Sequence, residues 1–133
     1  MSAFFPEMNT QQLNRLSMLT LAHVGDAVYE LMIRSMFCCQ GHTQVTQLHK
    51  LTVSRVNAQA QAKAVEKILR LLTDEEQAIY KRGRNTHVHS VPHNVDTGDY
   101  HAATGLEALF GWLYLQGRQE RLSELFSAIT EEG

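Results

Sequence analysis

The chain has 133 residues, 44% of them hydrophobic and 20% charged, with a formal net charge of −2 at pH 7. That length suits one folded domain over residues 1–133, and neither a disordered tract nor a collagen-like bias is present. No apolar run reaches the ~18 residues of a membrane span, no secretory leader is visible in MSAFFPEMNTQQL, and the neighbouring Cys38 and Cys39 suit a reducing cytoplasm.

In chain order, the spacing predicts helices almost throughout, so the expected class is all-α. Asn9 or Thr10 can cap a first helix through QQLNRLSML, which runs on or bends into a second at about 21–39. Apolar residues at 21, 24, 28, 31 and 32 give that second helix the period of one packed on one side, and Gly41 fits as its stop. VTQLHKLTVSR forms a third helix and NAQAQAKAVEKILRLL a fourth, with Asn57 as the cap between them. Thr73 and Glu76 make a capping box for a short fifth helix that ends near Gly83. Residues 85–98, with Pro92 and Gly98, read as an ordered loop. A sixth helix is expected from about Tyr100 to Gln116 and a seventh from Arg118 to about Thr130.

The chemistry is expected in the second and sixth helices. In AATGLEALFGWLYL, Glu107 is the one ionisable residue before Tyr114, on a helix apolar on nearly every side. A buried carboxylate needs a partner, a raised pKa or a cation, and no basic residue lies within one turn. The small residues Ala103, Gly105, Ala108 and Gly111 would let other helices approach closely. The second helix, in LAHVGDAVYE, offers Asp26 and Glu30 one turn apart. Carboxylates from two packed helices form a hard-oxygen site suited to Mg²⁺, which keeps several waters, and Mg²⁺ beside a phosphodiester points to its hydrolysis. Other partners fit each acid as well: Arg34 lies one turn beyond Glu30, and a helix end could occupy Asp26. KRGRNTHVHSVPHN, 81–94, is basic without one acid, so it can hold phosphates despite the net charge; Lys81 and Arg82 equally complement the C-terminal end of the fifth helix. His87, His89 and His93 lack a fourth ligand at suitable spacing, and no zinc site is expected.

LAHVGDAVYE resembles the signature of the ribonuclease III family, and GLEALFGWLYL resembles its second motif, in the same order and helical context. Ribonuclease III proper carries two further carboxylates where this chain has Ala22 and Thr104. The Mini-III branch shares both departures. LHK at 48–50, AQAKA at 60–64, KRGRN at 81–85, the pattern of Val91, Pro92, Asn94 and Asp96, and the segment from Tyr100 to Leu109 match it too.

That resemblance implies a ribonuclease III catalytic domain of about seven helices without a double-stranded RNA-binding domain. It implies a homodimeric, Mg²⁺-dependent endoribonuclease on double-stranded RNA, with Mn²⁺ as a substitute, trimming the 23S ribosomal RNA precursor in the cytoplasm. A ribosomal protein that presents the substrate is a candidate partner. Asp26 and Glu107 are the expected metal-binding and catalytic residues, with Glu30, Asp96 and the Thr104 hydroxyl as candidate additional ligands. Arg82, Arg84, Asn85, Lys50 and Lys63 are the expected RNA contacts, since A-form duplexes are gripped largely through backbone and shape. A non-catalytic RNA-binding or ribosome-assembly module on the same fold is the alternative, although such a module has no use for a buried acid.

Overall fold

Leucine, alanine, glycine and aromatic residues wrap the segment around Glu107 on all sides, and it takes the centre of the molecule. In the computed structural model, which describes residues 4–87 and 90–131, the helices are α1 (Thr10–Asn14), α2 (Met18–Cys39), α3 (Val45–Val56), α4 (Ala58–Ile68), α5 (Asp74–Arg84), α6 (Thr97–Leu115) and α7 (Gln119–Thr130). A short 3₁₀ turn, Leu69–Leu71, closes α4, and no strand occurs among the described residues. Helix α6 packs on α2, α5, α4 and α7. Leu106, Leu109, Phe110 and Leu113 are all at most 1% exposed, each contributing about 1.5–3 kcal/mol by burial.

Local chemistry sets the helix ends. Ser17 caps α2, its hydroxyl accepting from Thr20 N at 3.0 Å, so the first helix breaks off at Asn14 instead of running on. The expected capping box at Thr73 and Glu76 forms. Asp96 Oδ1 accepts from Asp99 N at 3.0 Å, which starts α6 at Thr97, three residues before the expected Tyr100. The cap outweighs Gly98 as a helix breaker. Val88 and His89, in the basic loop, lie outside the described residues.

One expectation for α2 is corrected. Its fully buried face is Leu21, Ala22, Gly25, Tyr29, Ile33 and Phe37; of the periodic apolar set only Leu21 lies on it, while Val28 and Met32 pack partly buried against the core. Val24, Val28, Leu31 and Met32 form a second apolar face, with Leu31 51% exposed. The helix is apolar on two sides, and the glycine and alanine side is the one that α6 can approach.

A buried ion pair ties α5 to α7. Arg121 donates through Nε to Glu76 Oε2 at 2.9 Å and through Nη2 to Glu76 Oε1 at 2.8 Å, while Nη2 also reaches Leu71 O at 2.7 Å. Burial pushes the Glu76 carboxyl up, but the Arg121 hydrogen bonds, the Thr73 backbone N–H and the guanidinium charge outweigh it and hold the carboxyl below the ordinary range. Arg121→Met strands that carboxylate, so unfolding in urea at pH 7 is expected to show a loss of about 3–5 kcal/mol. A carboxyl whose pKa is depressed by folding stabilises above its unfolded pKa, and the contribution is lost as pH falls through the folded value. The deficit of the variant therefore narrows in acid; a deficit that is the same at pH 7 and in acid contradicts this account.

Candidate active site

Two glycines bring the motif carboxylates together. A Cβ on Gly25 would lie 1.6 Å from Glu107 O and 2.8 Å from Gly111 N, and one on Gly111 would lie 2.0 Å from Leu21 O and 3.0 Å from Gly25 N. The backbones of α2 and α6 therefore touch where they cross. Asp26 follows Gly25, and Glu107 precedes Gly111 by one turn, so their carboxyl groups come within hydrogen-bonding reach. Gly83 and Gly105 allow a similar close approach of α5 to α6, where the added Cβ atoms would lie 2.8 Å from the Ala108 Cβ and the Tyr80 ring.

The third wall of the site is α4. Asn57 Oδ1 accepts from Ala60 N at 2.9 Å, and its Nδ2 donates to Val53 O at 2.9 Å, which fixes where α4 starts relative to α3. The buried stripe of α4 is then Gln61, Ala64, Val65 and Ile68. Gln61 Nε2 donates to Glu107 Oε2 at 3.3 Å. Beneath the pair, Tyr29 is 2% exposed and stacks edge-on against Phe110, with ring centroids 5.3 Å apart. Burial pushes its phenol up to about 12 against the pull of Arg55, with Glu107 adding a further push, so Tyr29 stays protonated.

Burial, and then the hydrogen bond and charge of Asp26, push the Glu107 carboxyl well above the ordinary range, and the Gln61 amide draws it part of the way back. Asp26 itself is exposed. Among the described residues neither carboxylate takes part in a salt bridge. The pair thus combines hard oxygen donors, like charges at close range and an open side for water. Those features fit a small divalent cation that binds few protein ligands and retains its waters.

The other expected ligands have different partners. Glu30 accepts from Arg34 Nη2 at 2.7 Å in an i,i+4 ion pair, so the Arg34 reading is the one the structure favours. Asp96 caps α6. Thr104 is buried, and its hydroxyl donates back to Tyr100 O at 3.0 Å. Ala22 is likewise core. Among the described residues no cluster of three or more His, Cys, Asp or Glu side chains could hold a metal. Asp26 and Glu107 are the two expected ligands that the fold brings within reach of each other.

The basic residues fall into separate groups. Arg82 and Arg84 are two positions apart on a helix and diverge: Arg82 borders a cleft with Leu16, Met18 and Trp112, whereas Arg84 lies 5.7 Å from the centre of the Tyr80 ring. Arg84 Nε donates to Asn85 Oδ1 at 3.2 Å, and Asn85 ends α5. Lys50 is exposed on α3. Lys63 lines a cleft of about 350 Å³ with Arg55, Lys67 and the edge of Tyr29. Arg55 and Lys67 were absent from the sequence-based set; the i,i+4 spacing of Lys63 and Lys67 on α4 was the one available signal. Gln61 was also missed, because its neighbours in AQAQAKA give no sign that one glutamine faces inward.

The sequence from 19 to 118 matches the family model described as the ribonuclease III domain. A Mini-ribonuclease 3 of Symbiobacterium thermophilum is 42% identical over 113 residues, covering 85% of this chain and 87% of the relative. This chain belongs to the Mini-III branch of the ribonuclease III family. A Mini-ribonuclease 3 of a Thermoanaerobacter species is 48% identical over 120 residues, covering 88% of this chain and 84% of the relative. The crystal structure of a Fusobacterium nucleatum protein superposes with a TM-score of 0.77 at 33% identity, covering 85% of this chain and 87% of that one. The all-α architecture is thus the ribonuclease III domain fold, and both Asp26 and Glu107 lie within the matched region. The family is one of endoribonucleases. No helix among the described residues is long and apolar enough to cross a membrane.

Proposed function

We propose that this chain is a Mg²⁺-dependent endoribonuclease that cleaves double-stranded RNA, with the 23S ribosomal RNA precursor as its substrate in the cytoplasm. The observation that carries the reading is the Asp26–Glu107 pair at the Gly25–Gly111 crossing; resemblance to the Mini-III branch supports the choice of RNA. The Asp26 and Glu107 carboxylates would hold Mg²⁺, with Mn²⁺ as a substitute. When bound, the ion supplies Lewis-acid polarisation of a phosphodiester and activation of water.

The residues of the chain perform the remaining work. Glu107 and Asp26 supply the pair of carboxyl oxygens that would hold the ion, one half-buried and the other facing solvent. Tyr29 closes the floor of the site with its phenol protonated. Lys63, with Arg55 and Lys67 in the same cleft, offers positive charge to a backbone phosphate. Lys50, Arg82, Arg84 and Asn85 extend the contact to more distant phosphates.

The second apolar face of α2 supports a homodimer. Val24, Val28, Leu31 and Met32 join Phe4, Phe5 and Leu122 around a groove of about 510 Å³. Phe4 is 59% and Phe5 49% exposed. A second copy seated there would place two carboxylate pairs in one particle, one for each strand of a duplex. Sedimentation equilibrium showing the mass of one protomer at working concentration would sink the dimer.

The test of function is cleavage of a long, end-labelled RNA duplex by purified protein. Mg²⁺-dependent products that EDTA abolishes, and that Asp26→Asn does not form, are expected. Tight duplex binding with no cleavage under any divalent ion would instead make the chain a binding module.

A further inference from the structure

The least expected group in the site is a glutamine. Gln61 is 3% exposed on α4 and occupies the first position of a stripe otherwise made of Ala64, Val65 and Ile68. Gln59, two residues earlier, is exposed. Glutamine is mostly a surface residue, and a buried amide lowers stability unless it is hydrogen-bonded. Its partner is Glu107 Oε2, at 3.3 Å. The amide presents its NH₂ group to that oxygen and not its carbonyl.

The choice of side chain also matters electrostatically. A lysine at this place would neutralise the pair and compete with a cation. A glutamate would add a third like charge in a half-buried site. An amide orients the carboxylate and changes the net charge by nothing.

We infer that Gln61 is a positioning residue: its buried amide fixes Glu107 in the orientation that faces Asp26 while leaving the full charge of the carboxylate pair to a divalent ion. This rests on the nuclease reading above. Three features support it: the cap at Asn57 sets the register of α4, that register turns Gln61 inward, and α4 packs directly on α6. Partners that orient a metal-binding carboxylate typically change affinity or activity about 10–100-fold when removed.

The experiment combines kinetics, metal binding and NMR on the full chain. Gln61→Met keeps length and apolar volume but cannot donate. It is expected to fold, to lose at least about tenfold in kcat with KM for the duplex unchanged, and to bind Mn²⁺ several-fold more weakly by EPR titration. In the unsubstituted protein, the Gln61 side-chain NH₂ signals, assigned by their absence from Gln61→Met, are expected to exchange slowly and to move on Glu107→Ala. Rapidly exchanging Gln61 signals that ignore Glu107→Ala overturn the contact. A Gln61→Met protein with kcat and Mn²⁺ affinity within twofold of the unsubstituted chain overturns the positioning role. Failure of the unsubstituted chain both to cut RNA and to bind Mn²⁺ overturns the nuclease reading itself, and the NMR result stands apart from that failure.

Discussion

Glu107→Gln is expected to abolish hydrolysis, with kcat down at least about 10²–10³-fold, and to leave duplex affinity unchanged. The substituted side chain has the same shape, can still accept from the Gln61 amide, and sits on the same α6 turn beside Gly111. What it loses is charge. The pair falls to a single carboxylate, Asp26, which is exposed and has no salt-bridge partner among the described residues. On the proposed function, duplex binding rests on Lys63, Arg84 and the other cationic side chains, so it is expected to survive. Stability provides an independent readout. Without divalent ions the variant is expected to melt no lower than the unsubstituted chain, because the cost that burial and Asp26 place on ionising Glu107 has been removed. With millimolar Mg²⁺ the unsubstituted chain is expected to gain in melting temperature and the variant is not, by mass action on the proposed native-state site. Full hydrolysis by Glu107→Gln would remove the carboxylate mechanism.

Gly111→Ala should cost both the fold and the site. The added methyl group meets Leu21 O at 2.0 Å and Gly25 N at 3.0 Å, both backbone atoms that cannot step aside as a side chain would. Forcing extra volume into a packed contact costs about 1–3 kcal/mol, occasionally more, and a clash of backbone with backbone belongs at the upper end. Helix α2 must move off α6, which carries Asp26 away from Glu107. Urea unfolding should therefore show a loss of about 3 kcal/mol or more, and the folded fraction should cleave poorly even when Mg²⁺ is saturating. Gly98→Ala is the control: its added Cβ would meet only Asp96 Oδ1, at 3.1 Å. Equal stability of the Gly98 and Gly111 variants would mean that the crossing is looser than described.

Much of the fold was legible in local chemistry. The capping box at Thr73 and the cap at Asn57 formed as expected, because a cap is a contact over three residues and needs no tertiary partner. The small residues of α6 announced close neighbours, and α2 and α5 do press against Gly111 and Gly105. The start of α6 was misplaced because Gly98 reads as a breaker until the Asp96 side chain is seen to cap the helix. The α2 periodicity misled for another reason. A helix with two apolar faces gives one hydrophobic pattern, and composition alone does not distinguish the face that meets α6 from the one left open.

The same division runs through the site. Asp26 and Glu107 stood out by themselves, since an acid in an apolar helix has a cost that must be met, and Gly25 and Gly111 stood beside them in the sequence. Their meeting is a tertiary fact, decided by two backbones touching where no side chain intervenes. So is the inward turn of Gln61, whereas the ion pair that occupies Glu30 is an i,i+4 contact within α2 that the spacing already offered. Local sequence determines which residues are helical and which charges need partners, because propensity, capping and burial cost act over a few residues. Which partner each charge receives depends on helices 40 to 80 residues apart in the chain meeting at one crossing (Gln61 and Glu107 are separated by 46 positions), and only packing in three dimensions sets that.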